Sequence, residues 1–118
     1  MTIDYADVFP VLAEALPDFE PSAVDWEDRL CYPFLYAMVR FVCDRAHPEF
    51  PEYEKLIRRF SALMERLILE GDSDVQDLAH GALETVWEHG EERDAIARHF
   101  EPKTLELWKR ICDGERGQ

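Results

Sequence analysis

The sequence predicts an all-α protein: a single compact domain of five to six helices in an antiparallel bundle. Apolar residues recur at the three-and-four spacing of a helical face over 52–70 and again over 75–87. Pro and Gly separate such segments, and no stretch alternates with period two for the length of a strand. With 118 residues, 47% of them hydrophobic, we expect one domain over 1–118, ending in a frayed tail over 113–118.

The first predicted helix ends at Leu16, because the proline that follows blocks continuation. It begins either at about Asp4, with a kink at Pro10, or near Asp7, with Pro10 in its first turn. A loop and one or two short turns then lead to residue 31.

The second helix is predicted from Pro33 to about Ala46. Its apolar residues cover more than one face, which is typical of a central, buried helix. The third is the clearest amphipathic helix, over 52–70, and Gly71 is its natural stop.

A capping box predicts the start of the fourth helix, with Ser73 as the N-cap and Gln76 three residues later. Its apolar face continues to Trp87, and Gly90 ends it. A short helix over about 92–100 and a last one over about 102–112 complete the bundle.

The stretch LMERLILEGDSDVQDLAHGALETV, residues 63–86, resembles one HEAT or armadillo unit. It has a helix ending in leucines, a tight Gly-Asp turn, and a second helix whose matching positions are Val75, Ala79, Ala82 and Leu83. No second copy follows at a period of about 40 residues, so the resemblance implies a HEAT-like hairpin rather than a solenoid.

The segments EALPDF, GDSDVQDL and TLELWKRI give the whole chain a second resemblance. It is similar to a family of small helical bacterial proteins of uncharacterised function, whose members resemble immunity proteins carried beside secreted toxins. The resemblance implies a non-enzymatic protein that neutralises a cognate toxin by direct contact.

The net charge of −13 is concentrated in two stretches, 4–28 and 70–92, that contain no Lys or Arg. Phosphate binding needs clustered bases, so this charge disfavours nucleic acid and anionic membranes as partners. It favours a basic protein, such as a toxin domain. The alternative, that an acidic surface only keeps the protein soluble, stays open.

Other features of the sequence indicate a cytoplasmic protein. The chain has no apolar run long enough to span a membrane, and its N-terminus lacks the basic region of a secretory signal. Its three cysteines are scattered, which predicts reduced thiols. We expect a monomer or weak homodimer that uses no cofactor.

Acidic residues lie opposite the apolar face of the fourth helix. The helix dipole accounts for acids in the first turn, but Glu84 and Glu88 lie near the C-terminal end and repel each other. Gly81 on the same face costs about 1 kcal/mol relative to Ala. The predicted partner-binding residues are Asp72, Asp74, Asp77, Gly81, Glu84, Glu88, Glu91 and Glu92, followed by Asp25, Trp26, Glu27 and Asp28.

Several alternatives remain at this stage. Trp26 is either an exposed anchor for the partner or a buried anchor for its own loop. The protein could be an acidic DNA mimic, or a regulatory or scaffold domain whose helix over 33–46 pairs with a second copy. It could also be a metal-binding enzyme centred on His80 and Glu84, although no catalytic motif is present and two ligands are too few for a zinc site. We therefore predict no enzyme activity and no metal.

Overall fold

The computed structural model describes residues 2–15, 31–89 and 91–116, and within these ranges it contains helices and no β-strand. The all-α prediction is confirmed. The radius of gyration is 13.6 Å, close to the value of about 13.5 Å expected for a compact domain of this length. A 3-10 turn spans Tyr5–Asp7, and the helices are α1 (Val8–Ala15), α2 (Cys31–Asp44), α3 (Tyr53–Glu70), α4 (Ser73–Glu88), α5 (Arg93–Ala97) and α6 (Pro102–Arg116).

Helix α1 begins at Val8, so Pro10 lies in its first turn, where a missing N–H costs no helical hydrogen bond. The later of the two predicted starts is the observed one. Val8 and Leu12 are fully buried and attach α1 to the core. The predictions for the end of this helix at Leu16 and for the loop and turns that follow lie outside the described residues.

Helix α2 begins two residues before the predicted Pro33, which still falls in the first turn. The side of α2 away from its apolar face carries the exposed residues Tyr36 and Arg40. The apolar face is buried within the chain. The buried residues of this face are Leu35, Met38, Val39, Val42 and Cys43.

The hairpin of α3 and α4 forms the centre of the bundle, a position the sequence predicted for α2. Helix α3 packs against α1, α2, α4 and α6, and α4 packs against α2, α3, α5 and α6. Each helix of the hairpin buries one apolar face, as its periodicity predicted. These faces consist of Ile57, Phe60, Leu63, Met64 and Leu67 on α3 and Val75, Leu78, Ala79, Ala82, Leu83 and Val86 on α4.

Gly71 ends α3 as predicted, but its backbone is extended (φ −77°) and not left-handed. Glycine is needed here for space, because a Cβ would lie 2.5 Å from Cγ1 of Val75 and would also clash with the Leu67 carbonyl oxygen. The N-terminal segment pairs with the backbone on either side of this glycine. Ile3 donates to the Glu70 carbonyl at 2.6 Å and accepts from the Asp72 N–H at 2.9 Å.

The predicted capping box is wrong by one residue. Asp72, not Ser73, is the N-cap of α4, and its carboxylate accepts from the Val75 N–H at 2.9 Å. Gln76 reaches back to the end of α3 instead, donating to the Gly71 carbonyl at 3.1 Å. The second Asp72 oxygen accepts from the Tyr5 N–H at 3.3 Å, so this side chain also holds the N-terminal segment.

Helix α6 begins at Pro102, the predicted first helical position, and its N-terminus is capped by a side chain from α3. Glu65 accepts from the backbone N–H groups of Lys103 and Thr104 at 3.2 and 2.8 Å. It also accepts from the Thr104 hydroxyl at 2.8 Å. The helix continues to Arg116, four residues beyond the predicted end at about residue 112. The last two residues lie outside the described ranges.

Candidate functional site

The exposed side of α4 carries a line of acidic residues that we call the acidic stripe: Asp74, Asp77, Gly81, Glu84 and Glu88. All four of its carboxylates are exposed, as the helical spacing predicted, and Gly81 is half-buried. The opposite side of the helix fills the core, which fixes the direction in which the stripe faces. The neighbouring helices α2 and α6 flank it.

A groove of about 320 Å³ lies between α2 and the second half of α4. Two carboxylates and one guanidinium belong to it, so it keeps a net negative charge. Tyr36 is 39% exposed and brings an aromatic ring to the groove. We call this the α2–α4 groove; it is lined by Tyr36, Arg40, Gly81, Glu84, Thr85 and Glu88.

Glycine at position 81 helps to keep the groove open, because it adds no side chain to the lining. Thr85, one turn later, donates its hydroxyl proton to the Gly81 carbonyl at 3.0 Å. This bond turns the hydroxyl toward its own helix and gives Thr85 a fixed rotamer. Gly81 is half-buried and lies where α4 faces α2.

The structure supplies counter-charges that the sequence of α4 alone does not contain. Arg40 of α2 lines the groove with Glu84 and Glu88. Farther along the stripe, Asp77 shares a smaller cleft with Arg110 of α6. Folding thus brings one base into the groove beside two carboxylates, and the groove keeps a net negative charge.

The other predicted residues lie elsewhere. Asp72 is the N-cap described above, and Glu92 is half-buried and lies 3.3 Å from Nε2 of His47. Both carboxylates are therefore engaged within the fold. Glu91 is exposed beside the end of α4. The second predicted group lies outside the described residues; it consists of Asp25, Trp26, Glu27 and Asp28. Both alternatives for Trp26, exposed or buried, therefore stay predictions.

The His80–Glu84 pair, the centre of the metal-site alternative, is a surface contact. Nε2 of His80 lies 3.8 Å from Oε1 of Glu84, and about half of each side chain is exposed. Among the residues that the structure describes, no three His, Cys, Asp or Glu side chains come together as a metal-ligand group. The pair gains no third ligand from this part of the fold.

Burial determines the chemistry of Cys43. This residue is 1% exposed, and desolvation, with smaller contributions from Glu92 and Asp44, raises the pKa of its thiol to about 12. The thiol is therefore protonated at neutral pH, and only the thiolate is a good nucleophile. Cys43 acts as a small apolar residue of the core.

Within the described ranges, every helix is too short or too polar to span a lipid bilayer. The chain matches no protein-family model, no curated protein and no solved structure.

Proposed function

We propose that this protein is a non-enzymatic binding protein that recognises a basic protein partner through the α2–α4 groove and the adjoining acidic stripe. The observation that carries the proposal is the grouping of Glu84 and Glu88 with the partly exposed ring of Tyr36 in one groove. Both carboxylates are exposed and lie near the C-terminal end of α4, where the helix dipole disfavours negative charge. The contact of Glu84 in the helix is the half-exposed one with His80.

A Lys or Arg side chain of the partner fits the chemistry of this groove. Its charge would be attracted by the two carboxylates, and its stem or guanidinium plane would pack on the Tyr36 ring. Aromatic residues in partly dry pockets frequently dominate binding energy, while charges around them set the partner and the rate of association.

Arg40 adds a specificity element. A partner surface of unbroken positive charge would be repelled at this position, whereas one that also presents a carboxylate or carbonyl oxygen would be bound. The groove therefore suits a patterned protein surface better than a disordered polybasic tail.

The net charge of −13 gives the protein a long-range attraction for basic surfaces at low ionic strength. Together with the resemblance carried by EALPDF, GDSDVQDL and TLELWKRI, it supports a more specific proposal: the partner is a basic toxin domain and this chain is its immunity protein. Binding across a toxin's cationic cleft would block the substrate directly.

The test is co-expression with the product of the adjacent gene. We expect the two proteins to copurify, the wild-type chain to protect cells from that product, and Tyr36→Ala with Glu84→Lys to abolish both effects. A matched control is the single change Glu49→Lys, which alters the net charge by the same two units at an exposed acid outside the groove. If the groove variant protects as well as the control, the proposed interface is wrong. If no complex forms even at low salt, the binding function is wrong. Displacement of the chain from its partner by duplex DNA would instead support the DNA-mimic alternative.

A further inference from the structure

A small cleft between α2 and the start of α3 has the opposite charge from the rest of the chain. Three of its lining residues are basic and one is acidic, in a protein whose net charge is −13. The cleft has a volume of about 150 Å³. We call it the basic cleft; it is lined by Phe41, Arg45, Pro51, Glu52, Lys55, Leu56 and Arg59.

Arg45 is held in position before any ligand arrives. Its guanidinium carbon lies 4.0 Å from the centroid of the Phe41 ring, and its Nη1 donates to the Phe41 carbonyl at 3.3 Å. A guanidinium has five N–H donors in a rigid plane, so one backbone contact leaves most of the fork for an anion. Fixing the side chain in advance lowers the entropy lost on binding.

Lys55 and Arg59 face the cleft from α3, at the i,i+4 spacing that puts both side chains on one helical face. Placing like charges at this spacing destabilises an isolated helix by a few tenths of a kcal/mol. With Arg45 in the turn that follows α2, the cleft presents positive charge from two segments of the chain. Phe41, Pro51 and Leu56 form an apolar wall beside these cations.

The size of the cleft limits its ligand. A volume of 150 Å³ holds a group of a few heavy atoms, whereas pockets for drug-sized molecules begin at about 300 Å³. A phosphate group has this size, and its two negative charges and three outer oxygens match several cationic donors better than a single carboxylate does.

We propose that the basic cleft binds a small phosphomonoester, with the phosphate against Arg45 and Lys55 and the first carbons of the ester against the apolar wall. This site is separate from the α2–α4 groove and does not depend on the proposed partner.

The experiment is a calorimetric titration of the full chain with inorganic phosphate and with phenyl phosphate at constant ionic strength. We expect saturable binding of both, tighter for phenyl phosphate because its ring contacts Phe41 and Leu56. Arg45→Gln and Lys55→Gln should each weaken binding about tenfold or more, the loss typical of one charged hydrogen bond. Phe41→Leu should remove much of the advantage of phenyl phosphate.

The matched control is Arg58→Gln. Arg58 lies on the same helix, outside the basic cleft, and pairs with Glu54 at 3.6 Å on the surface. This change removes the same charge and should leave phosphate affinity within about twofold, because a lone surface charge contributes little. An equal loss in Arg58→Gln would show that only net charge matters and would overturn the site. The absence of saturable binding, or tighter binding of a short glutamate peptide than of phenyl phosphate, would overturn it too.

Discussion

Replacing Glu65 tests how the last helix is attached to the bundle. This carboxylate accepts two backbone N–H groups at the start of α6 and the hydroxyl of the fully buried Thr104. Loss of a helix cap costs about 1 kcal/mol. Leaving the buried Thr104 hydroxyl without its partner adds about 1–3 kcal/mol. Since these contributions share one carboxylate and are not additive, we expect Glu65→Ala to lower the free energy of unfolding by about 3 kcal/mol.

The assay is urea denaturation followed in parallel by far-UV circular dichroism and by tryptophan fluorescence. Trp108 of α6 packs edge-on against Trp87 of α4, with ring centroids 6.0 Å apart, so fluorescence reports the docking of α6. At about 2 cal/mol/K of unfolding entropy per residue, the same change corresponds to a fall in melting temperature of about 12 °C.

Two further variants make the Glu65 test decisive. Glu65→Gln keeps one oxygen acceptor and should cost only about 1 kcal/mol. Glu106→Ala removes an exposed acid on α6 whose contact is a 3.2 Å surface pair with Lys103, and should cost no more than about 0.5 kcal/mol. If Glu65→Ala is no more destabilising than Glu106→Ala, the tertiary cap does not stabilise the fold and our reasoning is wrong.

Three other predictions concern single side chains. Asp72→Ala should destabilise the protein by about 1–2 kcal/mol in chemical denaturation because it removes the α4 cap. Its control, Asp74→Ala, changes an exposed acid in the first turn and should cost under about 1 kcal/mol. Equal effects would contradict the assignment of the cap. Ser61→Ala should leave stability unchanged or raise it by about 1 kcal/mol, since the buried Ser61 hydroxyl has no hydrogen-bond partner among the residues that the structure describes. A clear loss of stability would show a bond at this site. Burial raises the pKa of the Cys43 thiol from its ordinary value of 9.0 to about 12, and the resulting contribution to stability is fully present below pH 9.0 and lost as the pH rises toward about 12. Cys43→Ala should therefore flatten the fall in stability over that pH window. An unchanged dependence of stability on pH would refute this prediction. 

The helices were predictable because each buries a continuous apolar face. The period of that face is local information. Together with the end signals at Gly71, Ser73 and Gly90, it located α3 and α4 to within a residue or two. Pro10 and Pro102 were also interpretable locally, since a proline in the first turn loses no hydrogen bond.

The polar contacts between distant segments were not predictable in this way. Glu65 and Thr104 are far apart in sequence, and nothing around Glu65 distinguishes it from any other exposed acid on an amphipathic helix. Ile3 meets Gly71 only after the chain has folded, and Asp72 was missed as the cap because Ser73 beside it fits the local capping pattern equally well. Periodicity shows which face of a helix is buried but not which neighbour covers it.

The candidate site was predictable in the same partial way. The sequence placed Glu84, Glu88 and Gly81 on one exposed face, and the structure confirms that placement. It did not show that Tyr36 and Arg40 share the groove, because that depends on how α2 packs against α4. An exposed aromatic residue and an exposed base four positions apart on an otherwise apolar helix were the available signal.

The most direct test of the proposed function is the rate at which the chain associates with its copurified partner, measured by stopped-flow at low and high ionic strength. We predict that Glu84→Lys with Glu88→Lys slows association at least about tenfold at low salt and that the difference shrinks at high salt. The control is the pair Glu49→Lys with Asp113→Lys, two exposed acids outside the groove, which changes the net charge equally. We expect the control pair to have a much smaller effect on the association rate. Equal rates for the two pairs of variants at every ionic strength would show that the α2–α4 groove is not the interface.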